Sequence, residues 1–251
     1  MTAYLTAACV APLAAHGAPA LGDERPSWDR PARSALLGLV GACLGIERDD
    51  LQRLINLSAY GVAVLTLAPG RPMVDYHTVA TPYGEGRWRT RMEELAAAEA
   101  GTIVTRRAYR QGSWHPFALW SRGPAAWELE RIADAMRAPV VAPYIGRRSC
   151  PLALPLAPEI IDAADPTEAL LMRHHRGPEA RWRERWRVPI GAALRITLDE
   201  ADAPAGRARR VETRRDERVP GARLFDLRRE AVLEVDAAPP RAPRTFDEVL
   251  A

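Results

Sequence analysis

Lysine is absent from this sequence, so all 35 of its basic residues are arginine. They stand against 32 acidic residues, and the resulting net charge of +3 excludes a strongly polycationic chain. Arginine forms planar, bidentate contacts with phosphate that lysine does not form. The bias toward arginine therefore reflects either phosphate binding or the composition of a GC-rich genome, and composition alone leaves both explanations open.

Cysteine is also scarce. The three cysteines, Cys9, Cys43 and Cys150, lie far apart in the chain and form no Cys-x-x-Cys pair. A sparse, odd-numbered set of this kind argues against a disulfide framework and against a zinc site. We expect neither a metal nor another cofactor, and three free thiols suit a reducing compartment.

Long hydrophobic runs are missing as well. The longest nearly apolar run, residues 35–46, has 12 residues and is shorter than a membrane span of roughly 18. The first ten residues show no basic segment and no cleavage pattern of a secretory signal. Because 47% of the residues are hydrophobic, the chain has enough apolar surface for a core. We expect a globular cytoplasmic protein that does not contact a membrane.

The segment 31–46 predicts a helix around which the rest of the chain is arranged. Ser34 is a natural N-cap, and apolar residues recur at helical spacing up to Gly45, the expected C-cap residue. Inside this helix, Gly38 and Gly41 each cost ~1 kcal/mol relative to alanine. We expect a neighbour against their bare backbone, which is either a strand or helix of the protein or the backbone of a ligand.

Three arginines, Arg25, Arg30 and Arg33, precede this helix. The free backbone N–H groups at a helix N-terminus are ready-made partners for phosphate. Basic side chains beside a helix N-terminus are a first indication of phosphate binding.

Periodicity and turn residues predict alternating strands and helices. Beyond the helix at 31–46, we expect strands at 3–10, 59–67 and 117–120 and helices at 51–57, 124–136 and after Asp165.

The segment 75–110 differs in character from its neighbours. Arginines are interleaved there with the aromatic residues Tyr83, Trp88 and Tyr109. This composition is typical of surfaces that stack bases and hold phosphates. An ordinary solvated hairpin explains it equally well.

A basic loop lies between two prolines at positions 143 and 151. It contains Tyr144, Gly146 and the paired arginines Arg147 and Arg148. A rigid, basic loop with an accessible backbone suits a phosphate backbone better than a core. The alternative is a structural arginine pair that forms salt bridges at a domain corner.

The segment 173–229 is the most basic part of the chain, with 16 arginines against nine acidic residues. Alternation predicts a strand with Trp182 and Trp186 on one face. We take His174 and His175 as exposed polar residues, because no carboxylate or cysteine stands at a metal-ligand spacing from them.

Two further segments lack regular patterns. We expect residues 207–218 to be mobile, and we expect the proline-containing tail at 237–251 to be disordered.

Three motifs, at 33–46, 75–79 and 143–152, occur in an order and at intervals that resemble one family. This family comprises the CasD-type subunits of Cascade, the RNA-guided surveillance complex of CRISPR subtype I-E, within the RAMP superfamily. The resemblance covers about residues 1–175. It implies an α+β fold with one ferredoxin-like, RNA-recognition-type βαββαβ domain over residues 1–235 and a β-hairpin thumb at about 75–110.

The resemblance also implies a function in antiviral defence. Family members hold the 5′ handle of the guide RNA (crRNA) and contact the backbone subunit and the large PAM-reading subunit. They reach target DNA only through the assembled complex, and they bind RNA without catalysing a reaction. The chain departs from the family at His16, where an aromatic residue is common, and beyond about residue 204, where its arginine-rich segment is longer.

The motifs and the residue chemistry together select a set of candidate RNA-binding residues, which offer basic side chains, rings, hydroxyls or a bare backbone to single-stranded RNA. They are Arg25, Arg33, Ser34, Gly38, Gly41, Tyr76, His77, Arg106, Arg107, Tyr109, Tyr144, Gly146, Arg147, Arg148 and Ser149.

Two other functions stay open. A metal-independent endoribonuclease that processes precursor crRNA needs a general base and a cation near a 2′-hydroxyl, for which His77, Tyr144 and Arg148 are candidates. A purely structural scaffold would instead use its arginines for protein contacts. The salt dependence of RNA binding distinguishes the scaffold from an RNA-binding protein. Affinity that rests on neutralised phosphates falls steeply as the salt concentration rises.

Overall fold

The computed structural model of the protein describes residues 1–82, 88–96, 100–188, 193–219 and 224–237. The strands are β1 (Thr2–Ala14), β2 (Glu24–Arg25), β3 (Tyr60–Thr66), β4 (Arg71–Pro82), β5 (Ala100–Ser121), β6 (Glu159–Ala163), β7 (Ala193–Asp199), β8 (Arg210–Arg218) and β9 (Phe225–Asp236). The helices are α1 (Arg33–Cys43), α2 (Leu51–Asn56), α3 (Arg91–Leu95), α4 (Leu129–Arg137), α5 (Pro166–Arg176) and α6 (Ala180–Arg185). Tyr83, for which we predict stacking on a base, lies outside the described residues. The tail beyond residue 237, for which we predict disorder, lies outside them as well.

The strands form one large sheet. Its main row runs β6-β1-β5-β3-β7-β9-β8, and every neighbouring pair in this row is antiparallel. β4 pairs antiparallel and β2 parallel with β5, outside the main row. The chain is therefore a mixed α/β protein with a large antiparallel sheet. This combination of helices and sheet agrees with the predicted α+β class.

β5 has 22 residues and belongs to two parts of the molecule. Its C-terminal part lies between β1 and β3, where residues 117–119 are fully buried. Its N-terminal part pairs with β4 in continuous register from Arg71↔Gln111 to Pro82↔Ala100. This β4–β5 hairpin occupies the segment in which the sequence predicts a thumb.

Helices cover both faces of the sheet. α1 and α4 pack on one face, where Val40 and Ile132 join the buried side chains of β1, β3 and β5. α5 and α6 pack on the other face, where Leu170 and Trp182 join a second cluster with Trp114 and Trp120. The sheet therefore separates two hydrophobic cores.

The helix predicted at 31–46 is present as α1, but Ser34 is not its N-cap. Ala32 is the N-cap, because its carbonyl accepts the first helical hydrogen bonds, from the amides of Ala35 and Leu36. Ser34 therefore lies in the first turn. The predicted end is confirmed, since Gly45 follows the helix with a φ of +69°.

The two glycines inside α1 have different surroundings. A Cβ on Gly41 would lie 3.1 Å from Cδ1 of Leu57, so the expected close neighbour there is a segment of the protein itself. A Cβ on Gly38 would meet no atom within 4 Å, so the expected neighbour is absent in the described chain.

Three predictions for the C-terminal third are wrong. Trp182 and Trp186 lie in and just after the helix α6 rather than on a strand, and their spacing of four residues still gives them a common face. Residues 210–218 form the ordered strand β8, which pairs with β9. His174 is only 4% exposed, because α5 buries its ring under the segment that carries Arg183.

Charged side chains replace apolar ones on one face of the β7-β9-β8 part of the sheet. Arg228 donates two hydrogen bonds of 2.8 Å to the Asp216 carboxylate and bonds of 2.6 and 2.9 Å to Asp199 and Glu230. Glu230 also accepts from Arg214 and from Arg30, which lies 200 residues earlier in the chain.

We call this group the buried network, and its strand members Arg214, Asp216, Arg228 and Glu230 alternate with the exposed residues Arg215 and Arg229. It consists of Arg30, Arg33, Arg214, Arg228, Asp199, Asp216, Glu217 and Glu230. Burial alone would raise the pKa of Asp216, but hydrogen bonds and charge from Arg228 hold this pKa below its ordinary value. The Asp216 carboxylate therefore stays ionised beside Arg228.

Candidate nucleic-acid interface

The basic loop at 143–152 is held in one shape by its own backbone. The amide of Ile145 donates to the carbonyl of Cys150, and the amide of Cys150 donates to the carbonyl of Arg147. Gly146 lies between them with a φ of +79°, and a Cβ at this position would collide with the carbonyl oxygen of Ala15. The close approach that we predicted for Gly146 is therefore made by the protein backbone.

Arg147 fixes this loop to the base of the β4–β5 hairpin. Its guanidinium donates to the carbonyl of Ala108 at 3.2 Å and to the carbonyl of Arg25 at 3.3 Å. The same group lies 4.4 Å from the centre of the Tyr109 ring. Tyr109 is only 4% exposed and packs against Cys150, so this ring is not available to stack on a base.

Six of the predicted residues meet at this junction. β2 pairs with β5 so that Arg25 stands opposite Arg107, and Arg147 bonds the carbonyl of Arg25. Arg148 and Ser149 are exposed at the tip of the loop, and Tyr144 is half-buried at its start. We call the group of Arg25, Arg107, Tyr144, Arg147, Arg148 and Ser149 the root surface.

The arginines of the root surface differ from those of the buried network in their partners. In the part of the chain that the structure describes, Arg25, Arg107, Arg147 and Arg148 form no ion pair with a carboxylate. Arg148 makes no hydrogen bond to the described residues either. Their positive charges are therefore available to an anion.

The remaining predicted hairpin residues divide between its two faces, because side chains alternate along paired strands. Tyr76 and Arg106 are paired residues on one face, where the Arg106 guanidinium lies 5.5 Å from the centre of the Tyr76 ring. Tyr76 is 62% exposed and offers an open ring. His77 and Arg107 belong to the opposite face, where Nε2 of His77 lies 2.7 Å from the carboxylate of Asp75.

Four predicted residues, Arg33, Ser34, Gly38 and Gly41, lie elsewhere, in α1. Arg33 is 5% exposed and donates to the Glu217 carboxylate at 2.8 and 2.9 Å and to the carbonyl of Tyr60 at 2.9 Å. Its guanidinium is therefore engaged inside the buried network, which corrects the expectation that Arg33 offers a free charge to phosphate.

Residue-by-residue reasoning missed a cleft beside the hairpin. Trp28 and Pro69 line it together with Arg110, Arg195 and Arg210. Nε of Arg110 donates to the carbonyl of Trp28, and Arg110 has no carboxylate partner among the described residues. Arg110 follows Tyr109 directly in the basic stretch of β5. This position in the sequence could have identified Arg110 as a candidate RNA-binding residue.

The described residues contain no group of three or more His, Cys, Asp or Glu side chains that could hold a metal ion. Cys9, Cys43 and Cys150 are buried and free, and burial raises the pKa of the Cys9 thiol to about 12. Within the described ranges, no hydrogen bond or ion pair joins His77 to Tyr144 or Arg148, so the residues suggested for RNA cleavage are not assembled. No helix in the described ranges has the length and apolarity to span a membrane.

Comparisons with known proteins identify the family of this chain. The model of the family described as CRISPR-associated protein (Cas_Cas5) matches residues 4–228. The "CRISPR system Cascade subunit CasD" of Escherichia coli (strain K12) is 38% identical over 180 residues, which are 68% of this chain and 77% of that protein.

Two solved structures share the fold. A chain of a "CRISPR RNA-guided surveillance complex" superposes with a TM-score of 0.64 at 24% identity, covering 95% of both chains. A chain described as "Crystal structure of Cas protein" superposes with a TM-score of 0.57 at 20% identity, covering 93% of this chain and 94% of its own. With a family model that matches most of its length and a relative above 30% identity, the chain belongs to the Cas5 family of CRISPR-associated proteins.

Proposed function

We propose that this protein is a cytoplasmic Cascade subunit that binds the 5′ handle of the crRNA without cleaving it. The relative from Escherichia coli is named as a Cascade subunit. In this role the protein contacts the backbone subunit and the large PAM-reading subunit, and it reaches target DNA only in the assembled complex.

The order of elements supports a ferredoxin-like βαββαβ unit at the centre of the domain. β1, α1, β3, β5, α4 and β6 follow one another as strand, helix, strand, strand, helix and strand, and β6-β1-β5-β3 are consecutive in the sheet. We propose that the β4–β5 hairpin is the thumb of this unit and that residues 1–235 form a single domain.

The observation that carries the proposal is the set of unpaired arginines on the root surface. A single-stranded handle exposes phosphates and splayed bases, which proteins bind through charge and stacking. Arg107 and Arg148 supply charge beside the rigid Gly146 loop, and Tyr76 supplies an exposed ring on the other hairpin face. Arg147 holds the two parts together.

The proposal of binding without cleavage is supported by the surroundings of His77. A general base must reach the attacking 2′-hydroxyl, with a cation near the phosphate. His77 lies beside Asp75 on the hairpin, whereas Arg148 lies on the loop.

The test measures binding of the full chain to labelled repeat RNA over a range of salt concentrations. Arg107→Ala with Arg148→Ala removes two free charges and leaves the anchor Arg147 in place. We expect affinity to fall by about tenfold and the slope of log K against log salt to decrease by about 1.4, or ~0.7 for each phosphate contact.

The matched control is Arg48→Ala with Arg131→Ala, which removes two exposed arginines away from the root surface. A fall in affinity equal to that of the control would refute the root surface and favour the scaffold function. The same reactions, run on a denaturing gel without metal, should show intact RNA. A discrete cleavage product would overturn the non-catalytic part of the proposal.

A further inference from the structure

We propose that the cleft beside the hairpin is a subsite for one nucleotide of a single RNA strand, with the base stacked on Trp28 and the phosphate held by Arg110. We call it the Trp28 cleft. The inference rests on the proposed function and deepens it, because neither residue is among those assigned to the handle. Trp28 also lies outside the three motifs that resemble the family, so the subsite is a feature of this chain.

The backbone around Trp28 is fixed from several sides. Its carbonyl accepts a hydrogen bond of 3.1 Å from Nε of Arg110 and another of 3.1 Å from the hydroxyl of Ser27. The next carbonyl, that of Asp29, lies 3.1 Å from Nε2 of His115. The Trp28 ring is therefore held on a preorganised segment, and a base that stacks on it does not first have to order a loop.

The Trp28 ring is only partly occupied by the protein itself. The guanidinium of Arg214, a side chain that is 1% exposed, lies 4.8 Å from the ring centre. Trp28 is half-buried and lines the cleft, whereas Arg214 does not line it. Part of the ring therefore remains accessible from the cleft. Every base has a π-face that can stack on an accessible tryptophan.

The charge of the cleft favours an anion. Four arginines and two carboxylates line it. Asp29 accepts hydrogen bonds from Arg30 and Arg195. Glu212 accepts from Arg30 and Arg210. Because guanidinium groups hold both carboxylates, positive charge is left over for a phosphate.

Arg110 provides a charge that the protein does not neutralise. Its guanidinium has five N–H donors, and the Trp28 carbonyl accepts from one of them, at Nε. In the part of the chain that the structure describes, no carboxylate pairs with Arg110. Arg48 and Arg131 are exposed and line neither this cleft nor a ring, whereas Arg110 is half-buried beside Trp28 in a concave site. A ring next to a guanidinium matches the base and the phosphate of one nucleotide.

A second ring and a second arginine lie on the same face of the hairpin. Arg106 and Arg110 are four residues apart on β5, so the alternation of side chains places them on one face, where Arg106 stands opposite Tyr76. The rise of an extended strand separates the two arginines by roughly 13 Å. Rings and arginines along one path are the features by which proteins hold single strands. An RNA strand that stacks on Tyr76 is thus led toward the Trp28 cleft.

The test combines abasic RNA with changes of the ring in the full chain. Each of a set of labelled repeat RNAs carries one abasic nucleotide, at successive positions. We expect a position at which loss of the base lowers the affinity of the wild-type protein by about tenfold. For Trp28→Leu, the same abasic RNA should bind as well as the intact RNA, because the ring that the base contacts is already gone.

Two further variants control for structural effects. Trp28→Phe keeps a ring for stacking, so the same position should again be sensitive to loss of the base. Trp186→Leu removes an exposed tryptophan that does not line the cleft, and its sensitive positions should be those of the wild type. The midpoint of thermal unfolding is measured for all three variants. A merely structural role of Trp28 would lower the affinity for every RNA alike.

Salt dependence tests the phosphate contact separately. Arg110→Gln should decrease the slope of log K against log salt by ~0.7, the value for one phosphate contact on a single strand. Arg110→Lys keeps the charge and should restore the slope. Arg48→Gln removes an exposed arginine outside the cleft and should leave the slope unchanged.

Each outcome decides the proposal. A position that loses its sensitivity in Trp28→Leu and regains it in Trp28→Phe supports the subsite. The same sensitive positions in Trp28→Leu as in the wild type overturn it, and so does an equal loss of affinity for every RNA. The root-surface variant Arg107→Ala with Arg148→Ala is measured in parallel. If it binds RNA like its control while the Trp28 position stays sensitive, the root surface is wrong and the subsite stands, and the reverse result rejects the subsite alone.

Discussion

The same side chain has opposite surroundings in two regions of this molecule. On β8 and β9, Arg214 and Arg228 are almost fully buried and pair with Asp216 and Glu230. On the root surface, Arg148 is exposed and has no partner in the described chain. The number of arginines in a segment is therefore a poor indicator of nucleic-acid binding. The distance of each arginine from the nearest carboxylate is a better one, because a paired arginine has no free charge for a phosphate.

The physical reason is the cost of removing charge from water. A buried ion pair persists only when both charges are present and well hydrogen-bonded, so loss of one partner leaves an uncompensated charge. An exposed arginine has no such dependence and contributes little to folding. The two regions should therefore respond in opposite ways to the loss of an arginine.

The largest expected effect is that of Arg228→Ala. This change leaves the carboxylates of Asp216, Asp199 and Glu230 without their shared partner, and we expect the free energy of unfolding to fall by about 3–5 kcal/mol. Urea denaturation followed by circular dichroism measures the loss.

The neighbouring change Arg229→Ala is the control. Arg229 is exposed, and its ion-pair partner Glu200 lies at the surface as well. It should leave the free energy of unfolding nearly unchanged, because solvent screens an exposed ion pair. Similar losses for the two variants would remove the distinction between the regions.

Acid should weaken the fold around His115 and Asp29 before it affects the root surface. His115 is buried beside Asp29, and burial lowers its pKa to about 4 from its ordinary value of 6.5. The unfolded chain therefore binds the proton first, so stability is complete above pH 6.5 and falls as the pH drops toward 4. This loss is on the order of 3 kcal/mol.

A second loss follows at lower pH. Burial would raise the pKa of Asp29, but hydrogen bonds and charge from Arg195 and Arg30 lower this pKa to about 2 from 3.8. The contribution of Asp29 to the free energy of unfolding is therefore lost as the pH falls from 3.8 to about 2. Urea unfolding at a series of pH values measures both steps. A free energy of unfolding that is constant from pH 7 to pH 4 would contradict the assignment to His115.

Gly146→Ala should affect binding and stability together. A methyl group at this left-handed position collides with the Ala15 carbonyl, so the loop must shift, and we expect a cost of about 2 kcal/mol. RNA affinity should fall as the loop moves, which fluorescence anisotropy measures.

Gly123→Ala is the corresponding control. Its φ lies outside the left-handed region and its Cβ would meet no atom within 4 Å, so stability and affinity should be unchanged. A neutral Gly146→Ala variant would show that the loop tolerates displacement and that its rigid shape does not matter for binding.

The smallest expected effect is that of Tyr76→Ala. Because this ring is exposed on the hairpin, its removal should leave the free energy of unfolding unchanged. If a base stacks on it, RNA affinity falls by about 1 kcal/mol, or roughly fivefold. Unchanged affinity would restrict RNA binding to the hairpin face that carries Arg107.

Local patterns in the sequence were sufficient for much of the architecture. The helical spacing of α1 and the turn residues around the basic loop predict elements that the structure contains. Side-chain chemistry also identifies Arg107 and Arg148 as candidate RNA-binding residues. The two belong to one surface because β2 and the basic loop both contact β5. That juxtaposition depends on the pairing of Arg25 with Arg107 and on the hydrogen bond from Arg147 to the carbonyl of Arg25, which lies 122 residues away, and it cannot be read from either motif.

The errors have a common physical cause. Arg33 and Tyr109 have the chemistry of RNA-binding residues, but long-range partners, Glu217 for one and Arg147 for the other, engage them inside the protein. The segment 207–218 is predicted to be mobile, yet four of the seven charged side chains at 210–218, namely Glu212, Arg214, Asp216 and Glu217, pair with the distant residues Arg30, Glu230, Arg228 and Arg33. Burial of charge depends on tertiary contacts, and local composition does not report it.

The buried network also has a consequence for synthesis of the chain. Arg30 is made early, but its partner Glu230 follows 200 residues later, so the two cannot meet until β9 has been synthesised. At about 5–20 residues per second, this delay lasts roughly 10–40 s. A chain truncated before Phe225 would keep Asp29, Asp199, Glu212 and Glu217 as partners of Arg30 and Arg33, but it would lack Glu230, the buried carboxylate that Arg30 and Arg214 share. Completion of the last strand is therefore the event that supplies the last carboxylate of the buried network.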